Sequence, residues 1–259
     1  MSPPLARDVA DALRSALVWT AVAGVTVAAV PPMILGYPLV VVDPNRALSD
    51  AWFRAIGRAL VRLNPGWSVH VEGAERLRGG GPYVLVANHQ SFADLIVMCF
   101  LGHPTKYLGK ASVFDVPVFG WALRIAGEVP VVRGDRESGA RALRELERWL
   151  ARGVSVCLFP EGTRSDGGAI GPFKPGAFKL AIESGRPVVP VVIAGARDVL
   201  PKGSLVFNRR ADVRARVLAP IPTAGMTSDD VARLAERVRG EMLAAFTELD
   251  GGRVAASAQ

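Results

Sequence analysis

Short apolar runs of strand length alternate with helix-length segments along most of the chain, and this alternation restricts the fold more than any other feature of the sequence. It is typical of an α/β domain, in which a mostly parallel central sheet is flanked by helices. No linker interrupts it, so we predict a single α/β domain over residues 65–250. The runs predicted as strands are residues 68–72, 83–87, 105–109, 129–132, 154–159, 188–193 and 213–218.

The helices predicted in this domain are residues 95–101, 138–152, 177–184 and 228–249. The last of them starts in a Thr-x-x-Asp capping pattern, Thr227 to Asp230, and is predicted to stop at Gly251-Gly252. Residues 251–259 are predicted to be a disordered tail. Because Pro190 lacks a backbone donor, its strand is predicted at a sheet edge, or Pro190 at a strand end.

The N-terminal part of the chain contains an uncharged stretch of 28 residues, 15–42. About 20 apolar residues are enough for a helix to cross a bilayer, but Pro31-Pro32 divides this stretch into a first helix, residues 15–30, and a second apolar piece. A bent transmembrane helix and a helix lying in one leaflet both stay open. A cleaved signal peptide is disfavoured because an apolar stub would remain, and a buried helix of a soluble protein because the stretch is so long. We therefore predict that residues 1–64 form an apolar, membrane-associating helical segment.

The charge balance also restricts the partners of this chain. Its 31 basic and 24 acidic residues give a net charge of +7, which favours anionic partners such as lipid headgroups, phosphorylated ligands or nucleic acid. In a predicted amphipathic helix at residues 50–64, Arg54, Arg58 and Arg62 form a basic stripe, which is either a solvated face or a surface for anionic headgroups. No recognisable motif supports nucleic acid as the partner.

The cysteine and histidine content gives no sign of a metal site or a disulfide. Cys99 and Cys157 both lie in apolar runs, so we predict that they are reduced core residues. With three histidines and no Cys/His cluster, no metal or cofactor is predicted.

A polar heptapeptide, residues 88–94, separates the strand run 83–87 from the helix run that follows. It therefore lies at the carboxyl end of a strand, where α/β sheets place their ligands. His89 is suited to take a proton near neutral pH, and Asp94, five residues later, could orient its ring. Alternatively, Ser91 and Asp94 form a helix-capping pattern and His89 is an ordinary loop residue. No Gly-x-Ser-x-Gly elbow surrounds Ser91, so a serine nucleophile is not predicted.

A second polar loop follows the strand run 154–159. Gly162 in this loop permits close approach of the backbone, and Thr163 and Arg164 are donors suited to a phosphate. Other cations follow strands or the same loop, namely Lys110, Arg133 and Lys174. A base together with phosphate-type donors predicts deprotonation of a hydroxyl on an anionic substrate, followed by attack on an acyl carbonyl.

The sequence resembles the glycerolipid acyltransferases, especially the lysophosphatidate acyltransferases, over about residues 35–220. The resemblance lies in four blocks that occur in the family's order, the first of which has the family's His-x4-Asp pattern. Pro175 departs from the family, whose members often have a basic residue there, and this weakens the assignment of Lys174. The four blocks are Asn88-His89 with Asp94; Gly109-Lys110 followed by Pro117, Gly120, Gly127 and Arg133; Phe159-Pro160-Glu161-Gly162-Thr163-Arg164-Ser165 continued by Phe173-Lys174 and Gly176; and Val188-Val189-Pro190-Val191.

The resemblance implies transfer of a fatty acyl group from acyl-CoA or acyl carrier protein to the free hydroxyl of lysophosphatidate, giving phosphatidate. His89 would be the general base and Asp94 its partner, without a metal or a covalent acyl-enzyme. Backbone amides near Gly162, or at Ser91, would stabilise the oxyanion. The enzyme would lie on a membrane, with its active site on the cytoplasmic face. The residues that would bind the acceptor phosphate are Glu161, Gly162, Thr163 and Arg164, supported by Lys110, Arg133 and Lys174.

Three alternatives to this function differ in what they require. The same chemistry could act on another lysophospholipid, an ornithine lipid, a glycolipid or glycerol 3-phosphate, and the motifs do not separate these acceptors. A hydrolase would need a nucleophile, and the missing Gly-x-Ser-x-Gly elbow counts against it. A non-catalytic membrane or nucleic-acid binder would use the basic charge but would not depend on His89.

Overall fold

The computed structural model describes residues 4–36, 42–165, 170–201 and 203–257, and it contains one seven-stranded sheet with helices on both faces. The strands are β1 (Trp67–Glu72), β2 (Val84–Ala87), β3 (Thr105–Lys110), β4 (Val129–Val131), β5 (Ser155–Leu158), β6 (Val188–Ala194) and β7 (Ala211–Val217). The helices are α1 (Pro4–Leu35), α2 (Ala47–Arg62), α3 (Asp94–Met98), α4 (Phe119–Ala126), α5 (Arg136–Ala151), α6 (Gly176–Ser184), α7 (Ala196–Val199) and α8 (Val231–Ser257).

The strands lie in the order β1-β7-β6-β2-β5-β3-β4. Every neighbouring pair is parallel except β6 and β7, which confirms the predicted α/β fold with a mostly parallel sheet. Because β2 and β5 are parallel neighbours, the loops that follow them leave the same edge of the sheet side by side. These loops are the two polar segments of the sequence, the heptapeptide 88–94 after β2 and the loop that begins at residue 160 after β5.

The prediction for the strand containing Pro190 is wrong in one respect. β6 is not an edge strand: it is fully buried and lies between β7 and β2. The antiparallel pairing with β7 ends at Val191 and Val217, and beyond this rung the N–H of Leu218 donates to the carbonyl of Pro190 at 2.9 Å. The donor that Pro190 lacks would face Leu218, so the proline costs a single bond at the end of the ladder.

Two hydrophobic clusters fill the two faces of the sheet. Successive residues of a strand point to opposite faces, so Val84 and Val86 of β2 lie in one cluster, whereas Leu85 and Ala87 lie in the other. The first cluster is closed by α5, α6 and α8, and the second by α3 and the N-terminal helices. Cys99 and Cys157 are both free, as predicted, and Cys157 lies in the second cluster.

The N-terminal helix differs from the prediction, because α1 continues through Pro31 and Pro32 instead of ending before them. Proline dihedrals are compatible with a helix. The two backbone N–H groups that the prolines lack do not end a helix that is also held by tertiary contacts. α1 is held by the loop before β7: the rings of Trp19 and Phe207 contact each other in a tilted arrangement with centroids 5.0 Å apart, and the N–H of Phe207 donates to Ser15 Oγ at 3.0 Å. The second apolar piece of this segment falls partly on residues 37–41, outside the described residues. Among the residues that the structure describes, no helix is both long and apolar enough to cross a membrane.

Two other helices have different ends from those predicted. α3 ends at Met98, several residues earlier than the apolar run suggested. α8 follows a capping box formed by Thr227 and Asp230, as predicted, but it continues through Gly251 and Gly252 to Ser257. The tail predicted to be disordered is therefore helical to that residue, and residues 258–259 lie outside the described part of the chain.

Candidate active site

The turn after β2 brings an imidazole and a carboxylate together. His89 Nδ1 lies 2.7 Å from Asp94 Oδ2, and the backbone N–H groups of Gln90 and Ser91 donate to the same oxygen at 2.7 and 2.9 Å. Asp94 is fully buried, whereas the His89 side chain keeps 14% of its surface exposed. Burial raises the pKa of Asp94, and the hydrogen bonds from His89 and the two amides oppose this rise.

The Asp94 carboxylate makes contacts that belong to both interpretations of the heptapeptide, because it bonds the His89 ring and also the backbone of the turn before α3. Ser91 takes part in the turn: its hydroxyl accepts from the N–H of Ala93 at 3.2 Å and donates to the carbonyl of Leu200 at 2.8 Å. The Ser91 hydroxyl is completely buried, which agrees with the absence of a serine nucleophile from the prediction.

The imidazole has one hydrogen-bonded edge and one available edge. Its ring stacks on Phe159 at 4.4 Å, which fixes the ring plane. Within the described residues, His89 Nε2 has no hydrogen-bond partner, so this atom is available to a substrate. The side-chain amide of Asn88 bonds both the N–H and the carbonyl of Ile193 at 2.8 Å and so fastens the end of β2 to β6. The roles of Phe159 and Asn88 were missed in the sequence, where both residues stood in the motifs without an assigned contact.

The loop after β5 is fastened to the His89 turn by Glu161. One carboxylate oxygen accepts from the N–H of His89 at 2.8 Å, and the other accepts from the N–H of Gly171 at 3.0 Å. The N–H of Ser165 donates to the carbonyl of His89 at 2.8 Å. Glu161 is buried and each of its carboxylate oxygens accepts a backbone hydrogen bond, contacts that the sequence did not indicate.

Gly162 and Lys174 lie against each other in this loop. Gly162 has φ +71°, and a Cβ at this position would lie 2.6 Å from Lys174 Nζ. The backbone N–H of Lys174 donates to the carbonyl of Pro160 at 2.9 Å, which returns the chain to the start of the loop. Thr163 is exposed and Arg164 is partly buried in the same loop.

The two remaining predicted residues lie farther along the same sheet edge. Lys110 is the last residue of β3 and pairs with Val131 of β4, and Arg133 follows two residues after that strand. Both side chains are exposed. The strand order places β5 between β2 and β3, so Lys110 and Arg133 are two and three strands away from the strand that carries His89.

Comparison with known proteins identifies the family. Residues 68–194 match the family model described as acyltransferase. The chain is 37% identical over 190 residues to the chloroplastic 1-acyl-sn-glycerol-3-phosphate acyltransferase BAT2 of Brassica napus, and 37% identical over 186 residues to the human 1-acyl-sn-glycerol-3-phosphate acyltransferase alpha. The chain belongs to the acyltransferase family. The resemblance noted in the sequence is thereby confirmed.

The solved structures include a relative of similar size. The crystal structure of the 1-acyl-sn-glycerophosphate acyltransferase PlsC from Thermotoga maritima matches with a TM-score of 0.70 at 25% identity, over 92% of this chain and 97% of that one. The matches to the Brassica and human acyltransferases cover 73% and 71% of this chain, but only 55% and 65% of those relatives. The chain thus spans less than two thirds of the length of these two curated relatives.

Two backbone donors that the sequence offered for an oxyanion are already engaged. The N–H of Ser91 donates to Asp94, and the N–H of Gly162 donates to the carbonyl of Phe159 at 3.0 Å. Thr163, the next residue in the loop, makes no hydrogen bond with a described residue. Its backbone N–H is therefore the remaining donor next to Gly162.

Proposed function

We propose that this protein transfers a fatty acyl group from a thioester donor to the free hydroxyl of lysophosphatidate and releases phosphatidate and a thiol. The observation that carries this proposal is the buried Asp94 carboxylate 2.7 Å from Nδ1 of His89, whose Nε2 has no partner among the described residues. The acceptor hydroxyl gives its proton to Nε2 while its oxygen attacks the thioester carbonyl. Collapse of the tetrahedral adduct breaks the C–S bond, and the imidazolium gives the proton to the departing thiolate. Asp94 keeps Nδ1 protonated throughout.

The acceptor phosphate would lie over the loop after β5. Lys174 at Gly162 and Arg164 provide positive charge there, and Thr163 provides an exposed hydroxyl and an amide. In this proposal Glu161 does not touch the phosphate, since a second anion would repel it. It holds the loop against His89 instead. Lys110 and Arg133 would support anionic parts of the substrates farther along the sheet edge.

Membrane association of residues 1–64 is part of the proposal, with the active site facing the cytoplasm, where thioester donors are made. Leu13 and Leu17 share one face of α1 and are 64% and 71% exposed. Leu205, whose backbone carbonyl accepts from Trp19 Nε1, is 73% exposed. α1 contacts α2, the helix with the basic stripe. Large exposed apolar side chains beside such a helix are suited to the headgroup region of a bilayer.

Acyl transfer from labelled acyl-CoA and from labelled acyl carrier protein to a panel of lysolipids tests this function. We expect transfer to lysophosphatidate by the wild type and its loss in His89→Ala, while His70→Ala, which changes an exposed histidine of β1, keeps the rate. Transfer to a different acceptor that still depends on His89 would keep the mechanism and replace the substrate. Absence of transfer from both donors to every acceptor would refute the proposed function.

A further inference from the structure

A groove at the far edge of the sheet, between β4 and α5, has no part in the function described above. It has a volume of about 560 Å³, within the range of small-ligand sites. Its apolar surface is formed by Ala111, Val129, Pro130, Val132 and Ala142. We call it the β4–α5 groove.

Three guanidinium groups and one carboxylate border the β4–α5 groove. Arg148 pairs with the bordering carboxylate, Glu145, at 2.7 Å, and Arg141 pairs with Glu137, outside the groove, at 3.4 Å. Both pairs are exposed and lie on one helix, so a phosphate can displace them at little cost. Arg144 also borders the groove and makes no hydrogen bond or ion pair with any described residue. The border thus carries a net positive charge and one uncommitted guanidinium.

The β4–α5 groove reaches the carboxyl ends of β3 and β4, and His89 follows the carboxyl end of β2 in the same sheet. Ala111 directly follows Lys110 at the carboxyl end of β3, and Val132 directly precedes Arg133. β4 is three strands from β2, which at a strand spacing of about 4.8 Å is about 14 Å across the sheet. A ligand in the groove can therefore reach His89 only through an extended arm.

We propose that the β4–α5 groove binds the 3′-phosphorylated ADP portion of an acyl-CoA donor. This inference rests on the proposed function and specifies its donor. The adenine ring would lie on the apolar surface, and the phosphates would meet Arg141, Arg144 and Arg148, whose planar groups suit phosphate oxygens. The pantetheine arm then carries the thioester along the sheet edge to His89. An acyl carrier protein would instead present a broad convex surface, whereas a groove of about 560 Å³ matches a small ligand.

The test compares acyl-CoA with acyl-phosphopantetheine, which has the same thioester and arm but no nucleotide. In the wild type we expect KM for acyl-CoA to be at least about tenfold below KM for acyl-phosphopantetheine, equivalent to one good charge-assisted contact. In Arg144→Gln and in Arg144→Glu this ratio should fall towards one. The matched control is Arg237→Gln, which removes an exposed arginine of α8 in an i,i+4 pair with Glu241 and should keep the wild-type ratio.

A binding measurement separates this inference from the proposed function. Adenosine 3′,5′-bisphosphate should bind the wild type and the Arg237→Gln control in calorimetry, and Arg144→Glu should abolish this binding even if no acceptor is turned over. The inference is overturned if the bisphosphate does not bind, or if Arg144→Glu changes KM for both donors equally. It is also overturned if acyl carrier protein is the sole working donor and its KM rises in Arg144→Glu, because the surface would then bind a protein.

Discussion

Glu161 accepts a hydrogen bond from the backbone N–H of His89 at 2.8 Å, although 72 positions separate the two residues. The other carboxylate oxygen of Glu161 accepts from Gly171, so one buried side chain joins the general base proposed above to both ends of the loop after β5. Glu161 therefore holds the backbone of His89 in addition to the local turn. This relationship changes the expected effect of mutating Glu161.

Glu161→Gln should lower kcat by about tenfold or more, because one of the two backbone donors would then face an NH2 group and lose its acceptor, which costs about 1–3 kcal/mol. Steady-state kinetics with both substrates will show this, with Glu147→Gln on the exposed face of α5 as the control. If Glu161 instead lay directly against the phosphate, its negative charge would weaken binding of the acceptor. Removal of the anion would then lower KM for the acceptor and leave kcat unaffected.

Asp94→Asn should reduce kcat by about 10²–10⁴-fold, since the neutral amide no longer stabilises the imidazolium that forms during proton transfer. Stability should not fall. Burial raises the pKa of Asp94, so its charged form is disfavoured in the fold, and an uncharged side chain removes that cost while its oxygen still accepts from Gln90 and Ser91. Rate measurements beside thermal unfolding check both statements. A large drop in Tm with little change in kcat would mean that Asp94 serves the turn alone.

Local features of the chain were predictable, and features that depend on distant contacts were not. The His89 and Asp94 pair lies within one turn, so its spacing alone indicated the contact that the structure has. The central position of β6 could not be predicted from Pro190, because it depends on which strand pairs beyond that proline. The role of Glu161 depends on β2 and β5 being neighbours, a long-range relationship that no local pattern encodes.

Glu128→Gln should stabilise the protein at alkaline pH and have little effect in acid. Burial raises the pKa of Glu128 from 4.5 to about 8, while its carboxylate accepts from the N–H of Tyr107 beside the buried pair of Lys106 and Asp50. The stability that depends on its protonated form is complete below about pH 4.5 and is lost as pH rises through about 8.

A glutamine in place of Glu128 cannot ionise and can still accept from Tyr107. Unfolding free energies from denaturant titrations should therefore diverge from the wild type between pH 5 and 8, by at most about 1.4 kcal/mol per pH unit, and run parallel above that range. Glu183→Gln, at an exposed site of α6, should show no such divergence. A constant offset at all pH values would contradict a protonated Glu128 in the fold.

Gly162→Ala tests the contact between Gly162 and Lys174, and Gly185→Ala is its matched control. Both glycines have positive φ, +71° and +63°, so each substitution should cost about 1 kcal/mol of stability from backbone strain alone. A Cβ at residue 185 would meet no atom within 4 Å, whereas a Cβ at residue 162 would displace the ammonium of Lys174. We therefore expect similar losses in unfolding free energy but a higher KM for the phosphorylated acceptor in Gly162→Ala only. If the two variants have the same acceptor KM, Lys174 does not bind the phosphate from its position over Gly162.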